Sequence, residues 1–324
     1  MRLRWIMTAI VALAALAAPV HAQEASWPDR PIRLIVPFPA GSSTDVIARL
    51  IAQRLGMALG QQVVIENRAG ASGNIGADAV AKAAPDGATI GIATASTHAV
   101  AASLNANLPY DPIKDFAPVA MLGAQPYVLV VYPGAPARNL AELIALAKAK
   151  PGTLNYASAG VASLAHLATA LLARMAGIEI AHVPYKSSSQ SMTDMITGRI
   201  DMQLATIAPS LPNIRAGQLR ALATTGTTRA GVLAEVPTVV EAGIPGYEAN
   251  LWVSLVMPPG SPPAIVSRLN REVNAILTSA DGKAALVAQG LEPEPGPPEA
   301  VTERIRNDTV KWRAVAAQAG IKAE

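Results

Sequence analysis

The 324-residue chain has no cysteine, so neither a disulfide framework nor a thiolate metal site can form. Aromatic residues make up only 4 % and no run of Lys or Arg occurs, which argues against nucleic-acid binding. The chain has four histidines, and His98 has no second candidate ligand nearby, so no metal and no cofactor is expected. Charged residues make up just 15 %, against 51 % apolar residues and 26 prolines. That balance excludes a disordered or fibrous chain and fits a compact α/β protein with buried strands.

Residues 1–22 read as a cleavable signal peptide. Arg2 and Arg4 form a positive start, Trp5 to Ala18 an apolar core too short for a confident membrane span, and Pro19-Val-His-Ala22 a cleavage site before Gln23. No cysteine follows to carry a lipid. The mature chain would hold about 302 residues with a net charge near +1, long enough for two domains, in the periplasm or outside the cell.

The stretch Leu34-Ile-Val-Pro-Phe-Pro-Ala-Gly-Ser-Ser-Thr-Asp45 organises the rest. An apolar strand ends at Pro37 and Pro39, which cannot continue a ladder. After Phe38, Ala40 and Gly41 comes a cluster of helix-capping types, Ser42, Ser43, Thr44 and Asp45, and then an apolar repeat at helical spacing. Strand, small-residue loop and helix leave backbone N–H groups unpaired at a helix N-terminus, an anion site without a basic side chain. An ordinary well-capped turn would look the same. A second such unit follows: a strand over Leu154 to Ser158, the loop Ala159-Gly160-Val161-Ala162-Ser163, and a helix with His166 in its first turn. Two bare helix N-termini facing across a cleft would grip a carboxylate between them.

Gly70, Gly73 and Gly76 are spaced G-x-x-G-x-x-G rather than as a dinucleotide fingerprint, and read as a loop lining a cleft. Strands are expected at Thr89 to Thr94, running into Ser96 and His98, and at Ile200 to Ala205, ending by Thr206. Val119 to Val131 reads as two strands broken at Gly123 to Pro126, taken as the first crossing between domains. The chain recrosses after Thr224, so one lobe spans 23–123 plus 225–324 and the other 124–224. Tyr185 and Lys186 close another strand, where Lys186 could face an anionic ligand or simply solvent. A short helix is predicted at Leu211 to Ala216, and two long ones over Ala264 to Ala288 and Pro298 to Ala317. Ser158 and Ser163 lie near His166, but there is no G-x-S-x-G elbow and no acid in the loop, so an exported α/β hydrolase is disfavoured. Alternating strands and helices imply parallel sheets flanked by helices, with ligand beyond the carboxyl ends of the strands.

Several motifs together carry a resemblance. They are the run Trp27 to Gly41, Asn67-Arg-Ala-Gly70 with Gly73-Asn-Ile-Gly76, Tyr110-Asp-Pro, Asp115-Phe-Ala-Pro-Val119, Val183-Pro-Tyr-Lys186, Leu222-Ala-Thr with Arg229, Val236-Pro-Thr238 and Glu241-Ala-Gly243. From Trp27 onward the chain resembles the periplasmic substrate-binding proteins of tripartite tricarboxylate transporters, the TctC or Bug family. The resemblance implies a two-lobed periplasmic-binding-protein (Venus flytrap, type II-like) α/β fold. It implies a monomer that captures a small carboxylate, a dicarboxylate, tricarboxylate or aromatic acid, and delivers it to membrane permease subunits. A ligand-presenting subunit for a sensor is the alternative role. The resemblance places ligand contacts at Gly41 to Asp45 and Ser158 to Ser163. The chain departs from the pattern at Ser42, where a second glycine is usual, at Ser187 after the lysine, and at Ala205-Thr206, where an aspartate is common. Ser42→Asp should set a like charge beside a bound carboxylate and weaken it by more than about tenfold, since one pKa-scale unit of interaction is about 1.4 kcal/mol; titration calorimetry checks this, and unchanged affinity would remove the first loop from the site.

Overall fold

In the computed structural model, residues 27–186 and 188–321 are described; the expected signal peptide over residues 1–22, and the departure at Ser187, lie outside them. The strands are β1 (Ile32–Val36), β2 (Val63–Asn67), β3 (Thr89–Thr94), β4 (Ala117–Val131), β5 (Asn155–Ser158), β6 (Ala181–Pro184), β7 (Met202–Thr206), β8 (Arg220–Thr224), β9 (Asn250–Met257) and β10 (Glu292–Pro293). The helices are α1 (Ser43–Leu59), α2 (Asn74–Ala81), α3 (Ala101–Leu104), α4 (Leu140–Ala149), α5 (Leu164–Ala176), α6 (Ser188–Ile196), α7 (Ile207–Arg215), α8 (Pro263–Thr278), α9 (Ala280–Val287) and α10 (Glu299–Ala319). A wide helical turn, Ala95–Val100, leads into α3.

The strands line up as β2-β1-β3-β9-β4-β7-β5-β6, with β8 and β10 also paired to β4. Within each lobe the βαβ units are parallel: β1 with β2 and β3, and β5 with β6 and β7. The strands that join the lobes are antiparallel. Residues 117–126 of β4 lie against β9, while Tyr127 to Val131 lie against β7 and β8. One strand thus leaves the first lobe and enters the second without stopping. The break expected at Gly123 to Pro126 is instead a register shift between Met121 and Gly123, where β4 carries one extra residue as a bulge and its ladder with β9 runs on through Pro126.

Two other boundaries differ from the sequence reading. The long helix expected over 264–288 is two, α8 and α9, because Ser279 is extended and its Oγ caps Gly282 N at 3.1 Å. The helix expected from Leu211 starts at Ile207 instead. Pro209 is its third residue, where a missing N–H breaks no helical bond.

Burial follows the pattern of apolar residues. Leu34, Ile51 and Leu255 belong to a core under the first lobe, and Val128, Met195 and Leu211 to one in the second. A third cluster runs between them, from Val80 and Tyr110 through Trp252 and Trp312 to Leu129 and Leu172. The last helix, α10, packs on the 95–104 segment, on β4 and on α5. Trp252 Nε1 donates to Asp308 Oδ2 of that helix at 2.7 Å, and Tyr247 Oη to the Ala168 carbonyl at 2.9 Å. Trp252→Phe keeps most of the ring volume but strands the Asp308 carboxylate; a loss of about 1.5–3 kcal/mol is expected in urea unfolding, the range for a hydrogen bond to a charged group.

Candidate functional site

The first loop is built around one buried carboxylate. Ser42 is extended and its Oγ accepts from Asp45 N at 3.3 Å, capping α1. Asp45 turns away from the loop mouth. Its oxygens accept from Gly41 N at 2.9 Å, from Arg49 Nε and a second Arg49 nitrogen at 2.9 and 3.1 Å, and from Asn67 Nδ2 at 2.8 Å. Burial raises its pKa, but the bonds from Arg49, Asn67 and Gly41 outweigh that and hold it below the usual carboxylate range. Ser43 Oγ pairs with the Gln125 amide of β4, whose Nε2 donates to it at 2.7 Å. The first-turn N–H groups of Ser43 and Thr44 have no partner within the helix.

The second loop is also capped, not bare. Ser163 Oγ accepts from His166 N at 3.3 Å, and Leu164 N donates to Ser96 Oγ of the first lobe at 3.2 Å. Ala162, held at φ 58°, donates its N–H to His166 Nδ1 at 3.2 Å. That bond makes Nδ1 an acceptor, so the neutral ring carries its proton on Nε2. The His166 ring stacks on His182 with centroids 3.8 Å apart, and His182 in turn stacks on Tyr156 at 4.9 Å. Burial first, and then the neighbouring His182, lower His166 to about 4. Burial alone lowers the fully enclosed His98, packed against Phe116 with ring centroids 4.4 Å apart, to about 3.

A third helix start joins these two. Because α7 begins directly after β7, Thr206 is its N-cap. Ser42, Ser43 and Thr44 of α1, Ser163 and Ala165 of α5, and Thr206 of α7 line one inner cavity of about 50 Å³, with Tyr127 and Leu251 from the crossing strands. No charged side chain lines it among the described residues. A larger cavity of about 830 Å³ adjoins it, lined by the 69–74 loop, Asn105, the 159–162 loop, Tyr185, Lys186 and Gln190. Phe38, Ser96 and Ala159 line both. The glycine spacing has a steric cause here. A Cβ on Gly73 would lie 2.6 Å from Thr97 Cγ2, and one on Gly76 2.7 Å from the Pro37 backbone. Both glycines let this loop press against the turn after β1. The two lobes touch directly at Ser96, as above, and at Ser72, whose Oγ donates to the Val161 carbonyl at 2.9 Å.

Of the residues singled out in the sequence, Phe38, Ser42, Ser43, Thr44, Ser96, Ala159, Ser163 and Thr206 line the inner cavity, and Gly160, Val161, Ala162, Tyr185 and Lys186 the outer one. Ala40, Gly41, Asp45, Thr94, Ser158 and His166 line neither. Thr94 is spent on Thr97, whose N–H its Oγ1 accepts at 3.4 Å. Ser158 Oγ lies 2.6 Å from His182 Nε2, the spacing of a nucleophile and its base, but Ser158 is fully buried and bonds the Gly160 backbone. Among the described residues no carboxylate hydrogen-bonds that histidine. Tyr127, Leu251 and Ala165 were not foreseen; they sit in apolar strand and helix runs where nothing local marks a cavity wall. Among the described residues no three His, Asp or Glu side chains are placed to hold a metal, and no helix is long and apolar enough to cross a membrane.

A two-lobed α/β receptor with its cavities at the strand ends defines the class. The profile of the tripartite tricarboxylate transporter family receptor matches residues 47–321, and the chain belongs to that family. It is 39 % identical to the protein BugT of Bordetella pertussis over 99 % of this chain and 98 % of that one. It is also 39 % identical to the UPF0065 protein in the tcbD-tcbE intergenic region of Pseudomonas sp. strain P51, over 94 % of this chain and 90 % of that one. Among solved structures, an adipate-bound protein of R. palustris superposes with a TM-score of 0.89 at 40 % identity, covering 91 % of this chain and 99 % of that one. MatC of Rhodopseudomonas palustris with bound malate superposes with a TM-score of 0.83 at 33 % identity, covering 89 % and 99 %.

The depressed histidines give a signed pH dependence. An unfolded chain takes up protons on His98 and His166 near pH 6.5, while the fold resists until about pH 3 and pH 4 respectively, so the unfolded state binds more protons in that window. Stability is full above about pH 6.5 and falls as the pH drops toward 4. Thermal melts across that range should show the decline, and His166→Gln should flatten part of it.

Proposed function

We propose that this chain is an extracytoplasmic receptor that captures a small carboxylate between its two lobes and delivers it to a tripartite tricarboxylate-type membrane transporter. The carrying observation is the inner cavity, where the starts of α1, α5 and α7 converge on a space with no charged lining residue among the described ones. Partial positive charge from three helix starts, with Ser and Thr hydroxyls beside it, favours an anion that needs many donors and no counter-ion. The adipate and malate bound in the two relatives support a carboxylate over phosphate or sulfate.

In this reading Ser43 and Thr44 present backbone N–H groups from the first lobe, Ala165 one from the second, and Ser96 and Thr206 hydroxyls complete the grip. The lobes comprise 23–123 with 225–324, and 124–224. Closure is favoured because only the closed state makes both sets of contacts at once. The mature protein works as a monomer in the periplasm after removal of the leader, meets permease subunits in the membrane, and performs no chemistry on its ligand. The enclosed Ser158 and its own backbone bonds support binding over hydrolysis.

A thermal-shift screen of the mature protein against mono-, di- and aromatic carboxylates, with sugars and neutral compounds as controls, tests this. A ligand that binds only the folded form adds about 2.7 kcal/mol at a hundred times its Kd. Shifts confined to acids are expected. A shift with sugars alone would overturn the anion reading, even with the fold unchanged.

A further inference from the structure

Gln125 lines neither cavity, yet it is fully buried, and a buried amide needs a partner. Among the described residues that partner is Ser43. Gln125 Nε2 donates to Ser43 Oγ at 2.7 Å, and the same hydroxyl stands 3.1 Å from Oε1. Ser43 is buried too, at 2 % exposure. No bulk water competes for either end of a bond that joins residues 82 apart in the chain.

The places of these two residues give the bond its leverage. Ser43 is the first residue of α1, and it lines the inner cavity. Gln125 lies on β4, paired with Leu251, which lines that cavity as well. Two residues further along β4, Tyr127 is paired with Thr206. Both are lining residues, and Thr206 is the N-cap of α7. The start of α1 is thus joined to the start of α7 by one side-chain bond and the strand from Gln125 to Tyr127. The bonds that Asp45 makes to Arg49 and Asn67, by contrast, tie the first loop to its own lobe.

Resting on the carboxylate reading above, we infer that Gln125 is a positioning residue: through Ser43 it sets the start of α1 against the crossing strand, and so fixes the spacing between the two halves of the anion site. Lining neither cavity, it acts on the ligand only through the hydroxyl it holds. Groups that grip a ligand must be kept within about 0.5 Å of their productive places. A carboxylate held from both lobes loses contacts on one side when α1 drifts from β4 by more than that.

Gln125→Met keeps the length of the side chain and removes the bond. Titration calorimetry of the mature protein with adipate, malate and 3-phenylpropanoate tests it. For whichever of these acids the wild type binds, affinity should fall about 3- to 10-fold, the scale of one hydrogen bond. Ser43→Ala should fall at least as far. The double variant, Ser43→Ala with Gln125→Met, should bind within about twofold of Ser43→Ala alone, because the partner is already gone. Unchanged or raised affinity in Gln125→Met would overturn the inference. So would a further drop beyond twofold in the double variant, which a merely structural loss at the joint would produce. Gln125→Asn, one methylene shorter, takes the same place if the methionine variant does not fold. Hydrogen exchange on the ligand-free protein reads the bond without any ligand. The amides of Asp45 to Ile47 should exchange faster in Gln125→Met than in the wild type, and unchanged protection there would remove the positioning role. If the wild type binds none of the three acids but binds sugars, the carboxylate reading falls, and the exchange result alone decides the role of Gln125.

Discussion

The Asp45 carboxylate is the constraint on which the first half of the site depends. It is buried with four donors around it, from Gly41, Asn67 and Arg49, and each pins a different piece of chain. Gly41 fixes the loop, Asn67 brings the end of β2 alongside it, and Arg49 ties the next turn of α1. Asn67 also donates to the Phe38 carbonyl at 3.0 Å, so the same group sets where the Phe38 ring stands. Burying a carboxylate without those donors would cost several kcal/mol. With them it becomes the frame that sets Ser43 and Thr44 along the cavity wall.

The second constraint is continuity across the lobes. The β4 strand changes partners from β9 to β7 and β8 at about Pro126 and Tyr127, while its own backbone runs on. Tyr127 and Leu251, which face the inner cavity, lie at that change, so the floor of the site is also the joint. Meanwhile α10 packs on both the 95–104 segment and α5. Through α10 those two elements, one from each lobe, share a single packing surface.

The sequence displayed the two strand–loop–helix units through a small-residue loop bearing a glycine and ending in a serine cap, with a proline stop added in the first. It misjudged how bare they are. Ser163, Ser96 and His166 take up amides of the second loop, and those partners come from a turn ahead or from the other lobe. The third helix start stayed hidden behind Pro209 and Pro212, which read as breakers although the first lies in a turn with no bonds to break. Gly123 and Pro126 misled in the opposite direction, since a long-range ladder absorbed two residues that locally signal an end. The lining glycine loop was legible from spacing, whereas its neighbours Asn105 and Gln190 carry no local mark of a cavity wall.

The direct bonds between lobes, Ser72 to the Val161 carbonyl and Leu164 N to Ser96, have both ends on the protein. They therefore favour closure whatever occupies the cleft, each by about 0.5–1.5 kcal/mol. That bias acts on time as much as on affinity. Entry is rationed by the fraction of molecules standing open, so arrival slows by the same factor that each bond shrinks that fraction. Exit is slowed too, because the serines must let go before the guest can. A receptor built this way trades speed of capture for length of retention.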